Sequence, residues 1–173
     1  MRNYIYLDGD EERQQLIGQI AKVRLDVLRV VENVPADLWY TPRYHNWSLG
    51  AMLGHLNLAD RLSLWLIQAA LLRIRPRIPL SLVNQANDFM ANVYRNRLID
   101  ASKRDMQRNE KRITTLIQHL PEDKLALGVY HPALGIETTV ERALQDLYVY
   151  HWIEHLHTMQ SVEGLPQTKA DWV

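Results

Sequence analysis

The chain contains no cysteine. That absence removes disulfides, thiolate metal ligands and a cysteine nucleophile together, and leaves histidine and the carboxylates as the strong ligands. Excess charge is missing too: 20 lysines and arginines balance 20 acidic residues, so no net basic field draws the chain onto nucleic acid. There is no long apolar run. The most apolar stretch, residues 49–74, is interrupted by His55, Asn57, Asp60, Arg61, Ser63, Gln68 and Arg73 and does not read as a membrane span. The first twelve residues are polar and acidic and lack the apolar centre of a signal peptide. The expectation is a cytoplasmic protein without membrane or nucleic-acid partners. A length of 173 residues suits one domain over 1–173, able to bury about 70% of the surface its unfolded form exposes.

What is present is helical periodicity. Leu16, Ile20, Val23, Val27, Val30 and Val34 step by three and four up to Pro35, the stripe of a first helix. Ser48 is placed as N-cap of a second, whose stripe is Met52, His55, Ala59, Leu62 and Leu66. Pro76 and Pro79 mark a connection. A long third helix is expected from Ser81, carrying Ala86, Met90, Val93 and Tyr94, interrupted near residues 100–102 and resuming with Ile113, Leu116, Ile117 and Leu120. Residues 121–136, with Gly128, Pro132 and Gly135, read as irregular loop. Thr138-Thr139-Val140-Glu141 has the form of a capping box. The fourth helix, next in the chain, carries Val140, Leu144, Leu147, His151 and His155 on its stripe and is ended by Gly164 and Pro166. Four amphipathic helices without strand alternation or internal repeat predict an all-α four-helix bundle, its core over about 10–163 and a short C-terminal tail beyond.

Histidines carry the chemistry. His151 and His155 are four residues apart and differ by about 40° in direction around the helix, one turn apart, as two ligands of one ion must be. His55 lies on the stripe of the second helix. A single histidine in such a place is more often a hydrogen-bonded core residue, but two titratable rings stacked in a core cost a few kcal/mol each unless something partners them. His157 points about 120° away from His151 and reads as surface. His119 sits at the end of the third helix, where a positive charge is favourable, and His45 and His131 fall in loops. The string His151-x-x-Glu154-His155 also matches an inverted zinc-peptidase pattern. Only 18 residues follow His155, and the all-helical reading lacks the mixed scaffold and downstream acidic ligand those enzymes need. Glu154 points about 80° from the midpoint of the two rings, at the flank of the site.

The segments Asn46-Trp47-Ser48-Leu49-Gly50-Ala51-Met52-Leu53-Gly54-His55-Leu56 and His151-Trp152-Ile153-Glu154-His155-Leu156 resemble those of the DinB/YfiT-like family, four-helix bundles with a three-histidine site. Asp37-Leu38-Trp39 with Pro42, and Val83-Asn84 with Asn87, add to the similarity, which spans about 10–163. The resemblance implies a metal triad of His55, His151 and His155. It also implies an up-down-down-up bundle with a long crossover near residues 72–81, and a homodimer. Members of that family include transferases and isomerases that use low-molecular-weight thiols such as mycothiol or bacillithiol.

Three neutral imidazoles hold a divalent ion and leave coordination positions open, as catalytic sites do. Zinc suits the ligand type, nickel, iron and copper suit imidazole as well, and affinity order alone does not choose among them. Such an ion lowers the pKa of water to about 7 for hydrolysis, or activates a thiolate, which here must come from an external thiol. The expectation is a metal-dependent hydrolase or thiol-dependent S-transferase acting on a small-molecule substrate; the alternative is a non-catalytic metal-binding or ligand-sensing protein. Asn84, Asn87, Asp88, Tyr94 and Tyr148 are candidates to orient the rings. Trp47 is expected to pack at the start of the second helix, and Arg73, Arg75 and Arg77 to form a solvated connection.

Overall fold

The computed structural model describes residues 2–169. In chain order the elements are α1 (Asp10–Asn33), α2 (Leu49–Leu71), α3 (Leu80–Tyr94) and α4 (Ile99–His119), a hairpin of β1 (Gly128–His131) and β2 (Ile136–Thr139), and a composite last helix. That last helix joins α5 (Val140–Gln145), a π-helical stretch (Asp146–Tyr150) and α6 (His151–Val162). Bundle and core are formed by α1, α2, α4 and the composite helix. The expected stripe of α1 is buried throughout: Leu16, Ile20, Val23, Val27, Val30 and Val34 are all at most 4% exposed. Among the described residues, no helix is long and apolar enough to cross a membrane.

Contacts at the helix ends fix the helix directions. Arg13, near the start of α1, donates to the carbonyls of Ile117 and Leu120 at the end of α4, at 3.1 and 2.6 Å, so these helices are antiparallel. Ser48, capping α2, donates to the Arg95 carbonyl just ahead of α4 (2.5 Å), and Asn57 reaches the Ser102 carbonyl in the first turn of α4 (3.0 Å); α2 and α4 are parallel. Leu7, ahead of α1, donates its N–H to Glu141 at the start of α5, while Glu163, just past α6, accepts from Arg43 and Tyr44 ahead of α2. The last helix is therefore parallel to α1 and antiparallel to α2. The order is up-down-down-up, and residues 72–98, α3 included, carry the chain back along α2 before α4 begins.

Here the third helix departs from the sequence reading. It is two helices, broken at residues 95–98 rather than 100–102. Of the two, α3 lies outside the bundle against α2 with no buried residue, so Ala86, Met90, Val93 and Tyr94 are not a core stripe. Residues 121–136 are not simply irregular either. A 3₁₀ turn (Glu122–Lys124) leads into an antiparallel hairpin in which His131 pairs with Ile136, and Gly135 supplies the left-handed backbone (φ 68°) of its turn. The cap of α5 is Thr139, which accepts from the Arg142 N–H; Glu141 does not return to the cap but accepts from Leu7.

A buried ion pair crosses the core. Arg24 of α1 and Asp60 of α2, 1% and 0% exposed, meet at 2.8 Å. Asp60 also accepts from the Trp152 indole at 2.9 Å, and the Arg24 guanidinium lies over the Trp152 ring, 4.3 Å from its centroid.

Candidate metal centre

Two helices deliver the three histidines. The hydroxyl of Ser48 accepts from the Ala51 N–H at 3.1 Å and starts α2 as expected, which places His55 in its second turn. The Trp47 ring packs against His55, centroids 5.1 Å apart. On the last helix the π-helical stretch puts more residues into a turn than α geometry allows and so rotates α6 relative to α5, a device common beside functional sites. Tyr148, Val149, Trp152, Leu156 and Met159 are fully buried in the core. His151 and His155 lie on the edge of that face and meet His55.

The three rings converge on one point. Nε2 of His151 lies 3.3 Å from Nε2 of His55 and 3.1 Å from Nε2 of His155, and one nitrogen from each ring lies within 4.8 Å of the others. Zinc–nitrogen bonds of about 2.0–2.1 Å in tetrahedral geometry set ligand nitrogens about 3.3 Å apart, so the two short separations match the edges of a coordination tetrahedron. The electrostatics suit ligation as well. Burial lowers the pKa of His55 from the ordinary 6.5 to about 4, although a hydrogen bond with Asn87 opposes the shift. Burial and then the His55 and His45 rings lower His155 to about 3. His151 is held well below its ordinary value by burial, then by His155 and His55. All three are neutral at pH 7 and present lone pairs, as ligation requires.

His55 and His151 line a cavity of about 150 Å³, closed by Leu58, Ala59, Leu62 and Leu66 of α2, Val83 and Asn87 of α3, Leu134 of the hairpin turn, and Leu147. Its rim is a charged cluster: Arg2 donates to Asp146 at 2.7 Å and to Glu154 at 2.6 Å. Residues 2–7 are laced along the last helix, with Tyr4 donating to Asp146 and Ile5 exchanging hydrogen bonds with Gln145. A roomier groove of about 670 Å³ between α2 and α4, lined by Arg61, Trp65, Arg108 and Arg112, contains no histidine.

The expected ring-orienting residues are sorted by this geometry. Asn87 lies beside His55 in the cavity lining and acts on the charge of its ring, as a residue that orients a ligand histidine would. Asn84 and Asp88 are exposed. The Tyr94 hydroxyl accepts from Arg61 at 3.4 Å, and Tyr148 is buried beside Arg24 and Asp60, away from the rings. His157 is half-buried and contacts the Thr168 carbonyl (3.0 Å) rather than the centre; His119 is exposed on the last turn of α4, and His45 is exposed in its loop. Arg77 pairs with Glu137 of β2 at an exposed position. His131 departs most from the sequence reading: it is 5% exposed on β1 and lines the same cavity as His55 and His151. The sequence reading also missed Arg2 and Asp146. The only signal for the two was charge near a helix, which is common everywhere.

No protein-family model and no curated protein sequence matches the chain. Among solved structures, it is similar to YfiT from Bacillus subtilis, described as a probable metal-dependent hydrolase with an unusual four-helix bundle topology. The TM-score is 0.72 at 22% identity, covering 96% of this chain and 94% of that one. This likeness and the helix directions agree: the chain has the YfiT type of four-helix bundle.

Proposed function

We propose that the protein is a divalent-metal-dependent hydrolase of a small molecule, with His55, His151 and His155 as the ligands and zinc as the ion their nitrogen donors suit best. The observation that carries this reading is the convergence of three neutral imidazoles, His55 buried and His151 and His155 half-buried, with Nε2 separations of 3.1 and 3.3 Å at the wall of a cavity. A bound ion supplies Lewis acidity and brings the pKa of water to about 7. The chain does the rest. Asn87 holds the His55 ring in register, the leucines of α2 keep bulk water from the cavity, and Arg2 clamps the rim carboxylates. Of those, Glu154 is the exposed one. The description of YfiT as a probable metal-dependent hydrolase supports the same reaction class.

Transfer to an external low-molecular-weight thiol would use the same centre, and this chain has no cysteine of its own to serve instead. A homodimer, implied by the family resemblance, belongs to the proposal and is tested by sedimentation. The decisive experiment is elemental mass spectrometry of untagged protein purified without chelators, followed by small ester and amide substrates with and without added thiol. The expected result is about one ion per chain and thiol-independent turnover that is lost on chelation. Turnover only with thiol would replace hydrolysis by transfer. A metal-free chain that refuses zinc, nickel, iron and copper would refute the centre.

A further inference from the structure

His131 has no part in the centre described above, yet it is built into the same cavity. It lies outside the set of three histidines whose nitrogens fall within 4.8 Å of one another, so it is not a ligand in this arrangement. Its Nδ1 accepts a hydrogen bond from the Leu134 N–H across the hairpin turn, at 3.2 Å. A nitrogen that accepts carries no proton, so the neutral ring bears its proton on Nε2. Burial favours that neutral form, with Asp146, the residue's own backbone and Glu154 opposing it only in part. Nε2 occupies the ring edge away from the turn, and the ring lies in the wall of the cavity. An N–H held in this way in the wall of an open cavity can donate to a ligand that enters it.

We propose that His131 is the substrate's hydrogen-bond donor: its Nε2–H holds an oxygen of the substrate that faces the three-histidine centre from the opposite side. This rests on the reading of His55, His151 and His155 as a metal centre, and it deepens that reading by naming a substrate class. The cavity takes a small acyl compound, an ester or amide, with its carbonyl oxygen toward His131 and its apolar part against Leu58, Leu62, Leu66 and Leu134. A donor fixed in advance where negative charge develops is what acyl transfer requires. The cavity volume of about 150 Å³ admits an apolar part about the size of benzene.

Cobalt(II)-loaded protein titrated with acetate, an oxygen anion that stands in for the reacting carbonyl, tests the proposal through the visible spectrum of the ion. His131→Phe keeps an aromatic ring of slightly larger size and removes the donor, together with the acceptor of the Leu134 N–H. It should retain cobalt at the parent's stoichiometry and bind acetate at least about tenfold more weakly, the loss of one hydrogen bond to a charged acceptor, whereas His131→Gln, which keeps a donor, should lose less. Acetate affinity within twofold of the parent in a folded His131→Phe overturns the role of His131 alone. Failure of the parent to bind cobalt overturns the metal reading with it. Independent of any variant, long-range nitrogen–proton correlation spectra of the parent should show the Nε2–H tautomer of His131; an Nδ1–H tautomer overturns the proposal.

Discussion

Replacing Asp60 by alanine leaves the Arg24 guanidinium, 1% exposed, without a counter-charge in the bundle core. Removing one partner of a buried pair costs about 3–5 kcal/mol, far more than the pair contributes, because the remaining charge stays desolvated. The Trp152 indole loses its acceptor in the same step. Two backbone carbonyls, of Ile20 and Tyr148 at 3.2 and 3.4 Å, still accept from Arg24 and keep the loss toward the lower end of that range. In a chain of this size 1 kcal/mol moves the melting temperature by about 2–4 °C, so Asp60→Ala should melt about 6–12 °C below the parent. The double variant Arg24→Leu/Asp60→Ala removes both charges and should be more stable than Asp60→Ala, although the indole remains unpaired. Urea and thermal unfolding of the parent, both single variants and the double variant close the cycle. A loss below about 1 kcal/mol for Asp60→Ala, or a double variant that shows the sum of the single losses, would refute the argument that a desolvated charge is the origin of the cost.

Acid should destabilise the metal-free protein before its carboxylates titrate. His55 is lowered to about 4 and His155 to about 3, so between pH 6.5 and about 4 the unfolded chain binds protons that the folded chain refuses. Stability then falls as pH falls through that window, by about 3 kcal/mol for His55 alone; an unchanged urea midpoint between pH 7 and pH 5 would contradict the burial. His151→Ala and His155→Ala should each abolish metal retention measured by elemental mass spectrometry, while His157→Ala, whose ring contacts the Thr168 carbonyl, leaves it at the parent level. Equal losses in all three would place the helical phase elsewhere. Gly54→Ala puts a Cβ 2.6 Å from the Tyr94 ring; the overpacking should cost about 1–3 kcal/mol and speed tryptic cleavage at residues 95–97 as α3 lifts away, and a protease pattern identical to the parent's would argue against that tight contact.

Elements whose pattern is local were legible, and those set by distant partners were not. The stripe of α1, the Ser48 cap and the alignment of His151 with His155 each follow from spacing within one helix. The break between α3 and α4 does not, because nothing in residues 95–98 stops a helix by composition. It is held from across the chain by Ser48, which takes the Arg95 carbonyl. Strands of four residues on each side of Pro132 are too short to show alternation, so the hairpin and with it the burial of His131 stayed out of view. The ion pair had a signal that went unused: Arg24 falls among Ile20, Val23 and Val27, and Asp60 among Leu56, Leu64 and Ile67, so opposite charges occupy two core-facing stripes. Neither could remain there alone.

The motif around the first histidine acquires a physical meaning from the same contacts. A Cβ at Gly50 would lie 2.9 Å from the Arg97 carbonyl and 3.2 Å from that of Arg95, so glycine is what admits the elbow between α3 and α4. Gly54, one turn further along the same face, admits the Tyr94 ring. Together they let α3 lie directly on α2. Asn87 is seven residues before Tyr94, two turns along the same side of α3, and this close approach brings it within hydrogen-bonding reach of His55. One short segment thus caps a helix, seats the crossover and supplies His55 together with the approach of Asn87. A bulkier residue at either glycine therefore acts on the centre without touching it, by withdrawing Asn87 from His55.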